Sequence, residues 1–465
     1  MLRLFKQNYP IRNIFFVSVE GLVIFISVLL ATRILYGADL FDQDSYLTFK
    51  AVLITFVFLI CLYYNDLYDF KVTDTFTELG IRLFQALGVA AIFLAGVYYL
   101  FPEIIIGRGI FVLSVAIVIV MIVSWRLFYS VVLKYGLFDQ KIILLGSGKL
   151  AQNIYNEIIQ KRDCGYTISA VVTDKDGQFH ILADHKPEIA CSIVDCNLCI
   201  LSQELGIDKI VVAIKERRGA FPTKELLDCR VAGIDIIEGN SFHEMLTGKL
   251  SVKDINPAWL IFSDGFKKPT LRKFIKRTED ILFSFLLLIL CLPITIFTAF
   301  LIKIDSRGPV FFSQERVGRR KKTYMVHKFR SMVTDAESAS GPVWAQKNDS
   351  RVTRVGKFIR KWRIDEIPQL WNVLKGEMSF IGPRPEREFF VHKLEAIIPY
   401  YKERFTVKPG LTGWAQVCYG YGDSIEDAME KLNYELFYIK NYSIFMDFVI
   451  VVRTVKTVLF GVGAR

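Results

Sequence analysis

Residues 360–385 read RKWRIDEIPQLWNVLKGEMSFIGPRP, and this stretch sets what the rest of the chain has to support. Asp365 and Glu366 precede Pro368, and proline is tolerated only in a helix's first turn, so the spacing predicts a helix beginning at Asp365. Lys375 and Gly376, a last-turn cation followed by a glycine, predict its end. The two acids then sit where free N–H groups and the positive end of the helix dipole attract phosphate and favour ionised carboxylates. A carboxylate in that seat can act as a nucleophile toward a phosphate ester. Two anions would repel a polyphosphate, but Arg360, Arg363 and Arg384 are close in sequence, and one carboxylate is left over to hold Mg²⁺. Taken by itself, the pair reads first as an N-cap and a first-turn acid, and chemistry at it has to be argued from the rest of the chain.

A chain of 465 residues has room for about three domains. Its residues are 52% apolar while its net charge is +11. A membrane protein with basic cytoplasmic surfaces combines these properties, because anionic leaflets and phosphate-bearing ligands both attract Lys and Arg. A nucleic-acid binder has no need of long apolar runs, so no nucleic acid is expected among the partners. The cysteines lie in apolar or mixed surroundings, as in reduced, cytosol-facing protein. Cys191, Cys196 and Cys199 have an iron–sulfur-like spacing, yet Cys199 falls in the strand-like run LCIL and no fourth cysteine follows in register; buried strand cysteines are the reading preferred.

Four apolar runs, about Ile14 to Tyr36, Tyr46 to Leu67, Leu79 to Phe101 and Ile110 to Leu133, each suffice to cross a bilayer. The first is too long for a cleaved signal peptide and lacks a small-residue cleavage site. Arg3, Lys6 and Arg12 precede it, and the next loop holds Asp39, Asp42 and Asp44 without a cation, so the N-terminus is expected in the cytoplasm. Lys71 and Arg82, then Arg126, Lys134 and Lys141, mark the later cytoplasmic loops and leave the remainder of the chain inside. Glu20 and Arg33 within the first run either mark a pathway or serve the bundle structurally, and the structural role is preferred.

From Lys141 the pattern becomes KIILLGSGKLAQNIYNEII, ISAVVTD, KIVVAI and IDII, strands alternating with amphipathic helices, which predicts a parallel α/β sheet. Gly146, Gly148 and Ala151 form G-x-G-x-x-A between a strand and a helix, and Asp174 ends the second strand. NAD or another nucleotide would fit this arrangement; a Rossmann-like turn kept for its geometry alone fits it too. The Tyr-x₃-Lys pair of a dehydratase or epimerase is missing, since Tyr155 and Tyr166 are followed four residues on by Ile159 and Ala170.

Residues 281–304, ILFSFLLLILCLPITIFTAFLIKI, are long enough to span, but both flanks are basic. Lys267, Lys268, Arg272, Lys273, Lys276 and Arg277 stand on one side, and Lys303, Arg307, Arg316, Arg319 and Arg320 on the other. Basic flanks belong on one side of the membrane, and Pro293 breaks the helix near its midpoint, so a re-entrant helix–turn–helix is expected rather than a fifth crossing.

This order of pieces resembles a family. From about Thr270 onward the chain resembles the bacterial sugar transferases, the monotopic polyprenyl-phosphate hexose-1-phosphate transferases. The resemblance is carried by the Pro-broken apolar segment with its basic helix, GPVFFSQERVG (308–318), KFRSM (328–332), the stretch quoted above, and KPGLTGWAQV (408–417). The four spans and the Rossmann-like domain resemble the larger members of the same family. The fold class so implied is membrane α plus α/β. It consists of a four-span region (1–138), a Rossmann-like α/β domain (139–265) and a mainly α catalytic domain (266–465) with a re-entrant helix at about 277–304.

The resemblance implies a ping-pong transfer. Asp365 attacks the sugar-linked phosphorus of a UDP-hexose and releases UMP; undecaprenyl phosphate then takes the phosphosugar, which initiates exopolysaccharide, capsule or O-antigen synthesis. Glu366 holds Mg²⁺, Arg360 grips a diphosphate or the lipid phosphate, Lys328 and Arg330 join that basic pocket, and Arg384 is held between Pro383 and Pro385. Trp414 and Gln416 are candidates for contact with the uridine or sugar. Further expected partners are membrane lipid, a second copy of the chain in a homodimer, and downstream glycosyltransferases, at the cytoplasmic face of the bacterial inner membrane. Two rival readings are a membrane-anchored NAD-dependent nucleotide-sugar dehydratase or epimerase, and a non-catalytic polysaccharide assembly scaffold.

Overall fold

The computed structural model describes residues 2–4, 7–9, 11–37, 46–68, 76–106, 108–134, 139–160, 164–173, 189–193, 197–214, 221–253, 266, 268–334, 349, 351–420, 422 and 424–459. Asn8–Gly239 and Asn240–Arg465 form the bodies of two compact units.

In the first unit, helices α1 (Ile11–Tyr36), α2 (Leu47–Tyr64), α3 (Phe76–Leu100) and α4 (Arg108–Lys134) each contain a segment long and apolar enough to cross a membrane. Their inner faces share one core that includes Ile24, Val28, Ile54, Phe58, Leu87, Leu94 and Ile122. Phe56, Phe93 and Val120 face outward, the apolar exterior expected of a bundle solvated by lipid. Glu20 is fully buried and forms an ion pair of 2.7 Å with Arg126. Arg126 also donates to the Leu67 carbonyl at 2.6 Å and lies over the ring of Phe16. The structural role expected for Glu20 is therefore observed. Arg126, counted in sequence as a loop cation, is instead buried inside the bundle. Arg33 is exposed.

The α/β part of this unit is a five-stranded parallel sheet. Its strands are β1 (Gln140–Leu145), β2 (Tyr166–Thr173), β3 (Ile189–Ser192), β4 (Lys209–Val212) and β5 (Asp235–Glu238), in the order β3-β2-β1-β4-β5. Ile142 to Leu145 in the central strand are all fully buried, because helices cover both faces of such a sheet. Helix α5 (Lys149–Gln160) follows β1 through the predicted glycine turn. Gly146 has φ +132°, and a Cβ there would lie 2.8 Å from the Ala213 carbonyl, so this turn admits only glycine. Gly148 faces open space and Ala151 is buried; Asp174 lies outside the described residues.

Two local readings are corrected here. The run LCIL is the start of helix α6 (Leu198–Glu204) and not a strand, because the Asn197 side chain accepts from Cys199 N and Ile200 N and caps a helix. Cys191 is disulfide-bonded, a departure from wholly reduced thiols, whereas Cys61, Cys164, Cys199, Cys229, Cys291 and Cys418 are free. Among the described residues no group of three or more His, Cys, Asp or Glu side chains is placed to hold a metal.

The second unit opens with helix α7 (Gly239–Thr247), where Glu244 accepts from Lys440 and Asn441. Helices α8 (Thr270–Leu290) and α9 (Leu292–Asp305) then follow one another with a 60° bend at Cys291, and Pro293 sits in the first turn of the second, where its missing N–H costs nothing. Besides the apolar Ile302, the pair turns polar groups inward and leaves an apolar face outside. Asp280, Ser284 and Thr298 are buried, while Leu282, Phe285, Leu286, Ile289, Phe297 and Phe300 are exposed. Such an inverted face is stable only against an apolar medium. Asp280 is satisfied inward by Ser379 Oγ and Phe380 N, both at 2.9 Å.

A two-stranded antiparallel ribbon, β6 (Phe311–Val317) and β7 (Thr323–Phe329), leads to helix α10 (Arg354–Lys361). The Thr353 side chain accepts from Gly356 N and caps that helix. After it come a 3₁₀ turn, Ile364–Glu366, and helix α11 (Gln369–Lys375), then strand β8 (Ser379–Ile381), which pairs in parallel with β9 (Gly410–Thr412). Helices α12 (Glu388–Ile397), α13 (Ile425–Asn441) and α14 (Ile444–Leu459) complete a core that includes Phe390, Leu394, Leu432, Leu436 and Ile450.

Candidate active site

Asp365 and Glu366 are not the first residues of a helix, as their spacing predicted. Pro368 cannot donate to the Ile364 carbonyl, so the chain closes with i+3 bonds, Glu366 N to Arg363 O and Ile367 N to Ile364 O, and α11 proper starts at Gln369. Arg363 enters this turn at φ +54°. The predicted end is observed: Gly376, at φ +88°, caps α11 with its N–H on Asn372 O and Val373 O. Arg277 of α8 donates to the Val373 and Leu374 carbonyls at 2.6 and 2.7 Å, which ties the far end of α11 to the bent helix pair.

The turn places both acids inside the protein, Asp365 8% and Glu366 7% exposed, in opposite surroundings. Glu366 Oε1 accepts from Lys328 Nζ at 3.1 Å and from Arg384 Nη2 at 2.7 Å. Arg363 Nη1 stands 3.8 Å from its Oε2. Burial would raise the Glu366 carboxyl, but Arg384, Lys328 and Arg363 outweigh it and hold the group well below the usual carboxylate range. Asp365 makes no hydrogen bond or ion pair among the described residues. Burial first, and then the Glu366 charge beside it, push its carboxyl up to about 6, against the pull of Lys328, Arg360 and Arg384. One carboxylate is thus clamped by cations and held low, and its buried neighbour is held above the usual carboxylate range.

Of the residues singled out in sequence, the structure brings Asp365, Glu366, Lys328 and Arg384 together, with Arg360 on the last turn of α10 adding its charge. Arg330 is elsewhere: its guanidinium donates to the Ser306 and Arg307 carbonyls and to Ser306 Oγ, tying down the end of α9. Trp414 is a core residue, with Nε1 donating to Gly248 O at 2.8 Å and its ring stacked on Phe437. Gln416 Nε2 reaches the Leu411 carbonyl at 3.4 Å.

Arg404 and Glu435, which sequence reasoning passed over, are buried partners that meet through two bonds of 2.9 and 2.8 Å. Arg404 Nη2 also donates to the Arg384 carbonyl at 2.8 Å, so this pair fixes the backbone of the residue that grips Glu366. Nothing local in YKERF marks Arg404; only the fold brings it beneath Arg384. The donor set also fits a hard cation. Glu366 Oε2 accepts no hydrogen bond among the described residues, and Mg²⁺ is commonly held by one or two carboxylates plus substrate phosphates.

A buried acid pair ringed by phosphate-type cations, in one unit with an apolar-faced bent helix pair, is an arrangement suited to phosphate-ester chemistry beside a membrane. The comparisons with known proteins agree. Residues 271–461 match the family described as bacterial sugar transferase, and residues 63–191 match a CoA-binding domain family. The chain is 44% identical over 241 residues to the UDP-N-acetylgalactosamine-undecaprenyl-phosphate N-acetylgalactosaminephosphotransferase of Aeromonas hydrophila, which covers 52% of this chain and 56% of that protein. It is 40% identical over 196 residues to the exopolysaccharide production protein PSS of Rhizobium leguminosarum bv. phaseoli, covering 40% of this chain and 95% of that one. With the undecaprenyl-phosphate galactose phosphotransferase of Salmonella typhimurium it shares 29% identity over 348 residues, 71% of this chain and 70% of that one. The chain belongs to the bacterial sugar transferase family. It spans about half the length of the Aeromonas relative. These names fit the transferase reading and not the dehydratase or epimerase alternative.

Proposed function

We propose that the protein transfers a hexose 1-phosphate from a UDP-sugar to undecaprenyl phosphate at the cytoplasmic face of the inner membrane, initiating a surface polysaccharide. The observation that carries this reading is the contrast at the turn: Glu366 tied to Lys328 and Arg384, and Asp365 buried without a hydrogen-bond partner among the described residues. An Asp365 Oδ attacks the sugar-linked phosphorus. The bond from that phosphorus to the bridging oxygen breaks, and UMP leaves with the oxygen and its electron pair. In the second half a phosphate oxygen of the lipid attacks the same phosphorus, the acyl-phosphate P–O bond breaks, and the Asp365 carboxylate is restored.

Lys328, Arg384 and Arg360 supply the fixed positive charge that the diphosphate and the transferring phosphoryl group require. Glu366 Oε2 is the oxygen that would hold Mg²⁺, which when bound neutralises donor phosphate charge. The α8–α9 pair is proposed to enter and leave the membrane on one side, since its exposed face is apolar, its bend is 60° and both its flanks are basic. That arrangement keeps the catalytic turn at the depth of a lipid phosphate. Purified protein with Mg²⁺, undecaprenyl phosphate and a panel of UDP-glucose, UDP-galactose and their N-acetylated analogues should release UMP with at least one donor; no release with any of them would overturn the proposal.

A further inference from the structure

Lys328 is one of the two donors to Glu366 Oε1, and it is carried by the ribbon strand β7, whose only strand partner among the described residues is β6. An unpaired strand edge is free to shift by a fraction of an ångström unless something else occupies it. In this protein the occupant is a side chain. Asn372, in the middle of α11 and 0% exposed, accepts from His327 N through Oδ1 at 3.1 Å and donates from Nδ2 to the Met325 carbonyl at 2.7 Å. These are the two backbone groups on either side of Val326 that an added parallel strand would use, so the amide replaces one peptide unit of a missing neighbour. The second Nδ2 hydrogen goes to Glu377 Oε2 at 2.7 Å. Both donors of the side chain are used and its carbonyl oxygen is engaged, and the orientation is unambiguous because His327 N can only donate.

We propose that Asn372 is a positioning residue for the transfer reaction: it locks β7 to α11 so that Lys328 meets the acid turn just ahead of that helix. The inference rests on the transferase reading for its catalytic consequence and on the geometry alone for its structural one. Lys328 and Glu366 come from elements far apart in sequence, and Asn372 is a direct bond between the strand that carries Lys328 and the helix that follows the Glu366 turn. Without it, the strand keeps its hydrogen bonds to β6 and the packing of Val326 against Val373 and Met378, and the backbone next to Lys328 loses its polar tie to α11.

The test uses the full chain in lipid nanodiscs, with the kinetics of UMP release measured for wild type, Asn372→Ala, Lys328→Met and the double variant. Each single variant is expected to lower kcat about tenfold or more, with a smaller change in KM. The double variant should be no worse than Lys328→Met by more than about twofold, the non-additivity of two residues acting through one contact. Losses that simply add, or a KM that rises as much as kcat falls in Asn372→Ala, would show a packing role only and overturn the proposal. If Asn372→Ala does not fold, Asn372→Asp is read in its place, since it keeps the shape and the acceptor for His327 N but cannot donate to Met325. A readout independent of turnover is the rate at which acetic anhydride modifies the Lys328 amine. It should change severalfold in the Asn372 variant, and an unchanged rate counts against the positioning role. Wild type that releases no UMP defeats the transferase reading, while the labelling rate still decides the placement of Lys328.

Discussion

Neighbouring carboxylates influence each other's titration, and the surroundings push Asp365 up and Glu366 down, because among the described residues only Glu366 has cations at hydrogen-bond distance. In the proposed mechanism the unclamped acid is the nucleophile. Asp365→Asn should therefore abolish phosphosugar transfer, by a factor of about 10³ or more in UMP release. The same substitution should stabilise the protein. Asp365 has a folded-state value above its unfolded one, so the stability it contributes is present at low pH and is lost as pH rises through about 6. At neutral pH the buried charge is then a cost that asparagine removes, worth about 1–3 kcal/mol and visible as a rise of several degrees in Tm. The gain should shrink when melting is repeated at about pH 4.5, where the native carboxyl is protonated. In the intact enzyme kcat/KM should fall on the acid side with an apparent value near 6, since protonating Asp365 removes the nucleophile. A limb near 4 would mean that the reacting carboxylate is not the buried one.

The elements around the pair explain what was legible in the sequence. The central strands were readable because strands of a parallel sheet are continuous apolar runs, and KIILL is one. Strand β3, the short and half-buried IACS, gave no such run, and LCIL misled because a short apolar stretch suits a strand or a helix equally until a cap such as Asn197 decides. Asp365, Glu366, Lys328 and Arg384 were visible through family blocks. Arg404 and Asn372 were not, since each acts through a contact that only the tertiary fold creates. Asn372 did leave a trace as a lone polar residue inside LWNVL, the mark of a buried amide with partners. The helix start was misplaced because proline forces a 3₁₀ turn in place of an α-helical one at the acids. Arg404→Lys tests the support beneath Arg384. It keeps the charge near Glu435 but loses the forked geometry and the bond to the Arg384 carbonyl, and should lower kcat about tenfold while the protein remains folded.

At the scale of the whole molecule, four apolar helices, a parallel α/β sheet and a unit with an inside-out bent helix pair are combined in one chain. The proposed chemistry accounts for the combination: a water-soluble nucleotide sugar would have to meet a lipid phosphate at an interface, which requires cations held at the membrane surface. Sidedness follows from the proposed re-entry. Single cysteines at Lys268 and Arg307, in a background without reactive thiols, should label from the same side of sealed vesicles; opposite labelling would make the pair a fifth crossing and carry the acid turn to the other face. The transfer mechanism itself is tested most directly by a single-turnover experiment without lipid acceptor. Mixing the protein with a UDP-sugar that it accepts should give a burst of about one UMP per active site and leave a phosphosugar on the peptide containing Asp365, detectable by mass spectrometry and lacking in Asp365→Asn. Full turnover with acceptor but no burst without it, and an unmodified Asp365 peptide, would mean direct transfer between the two substrates.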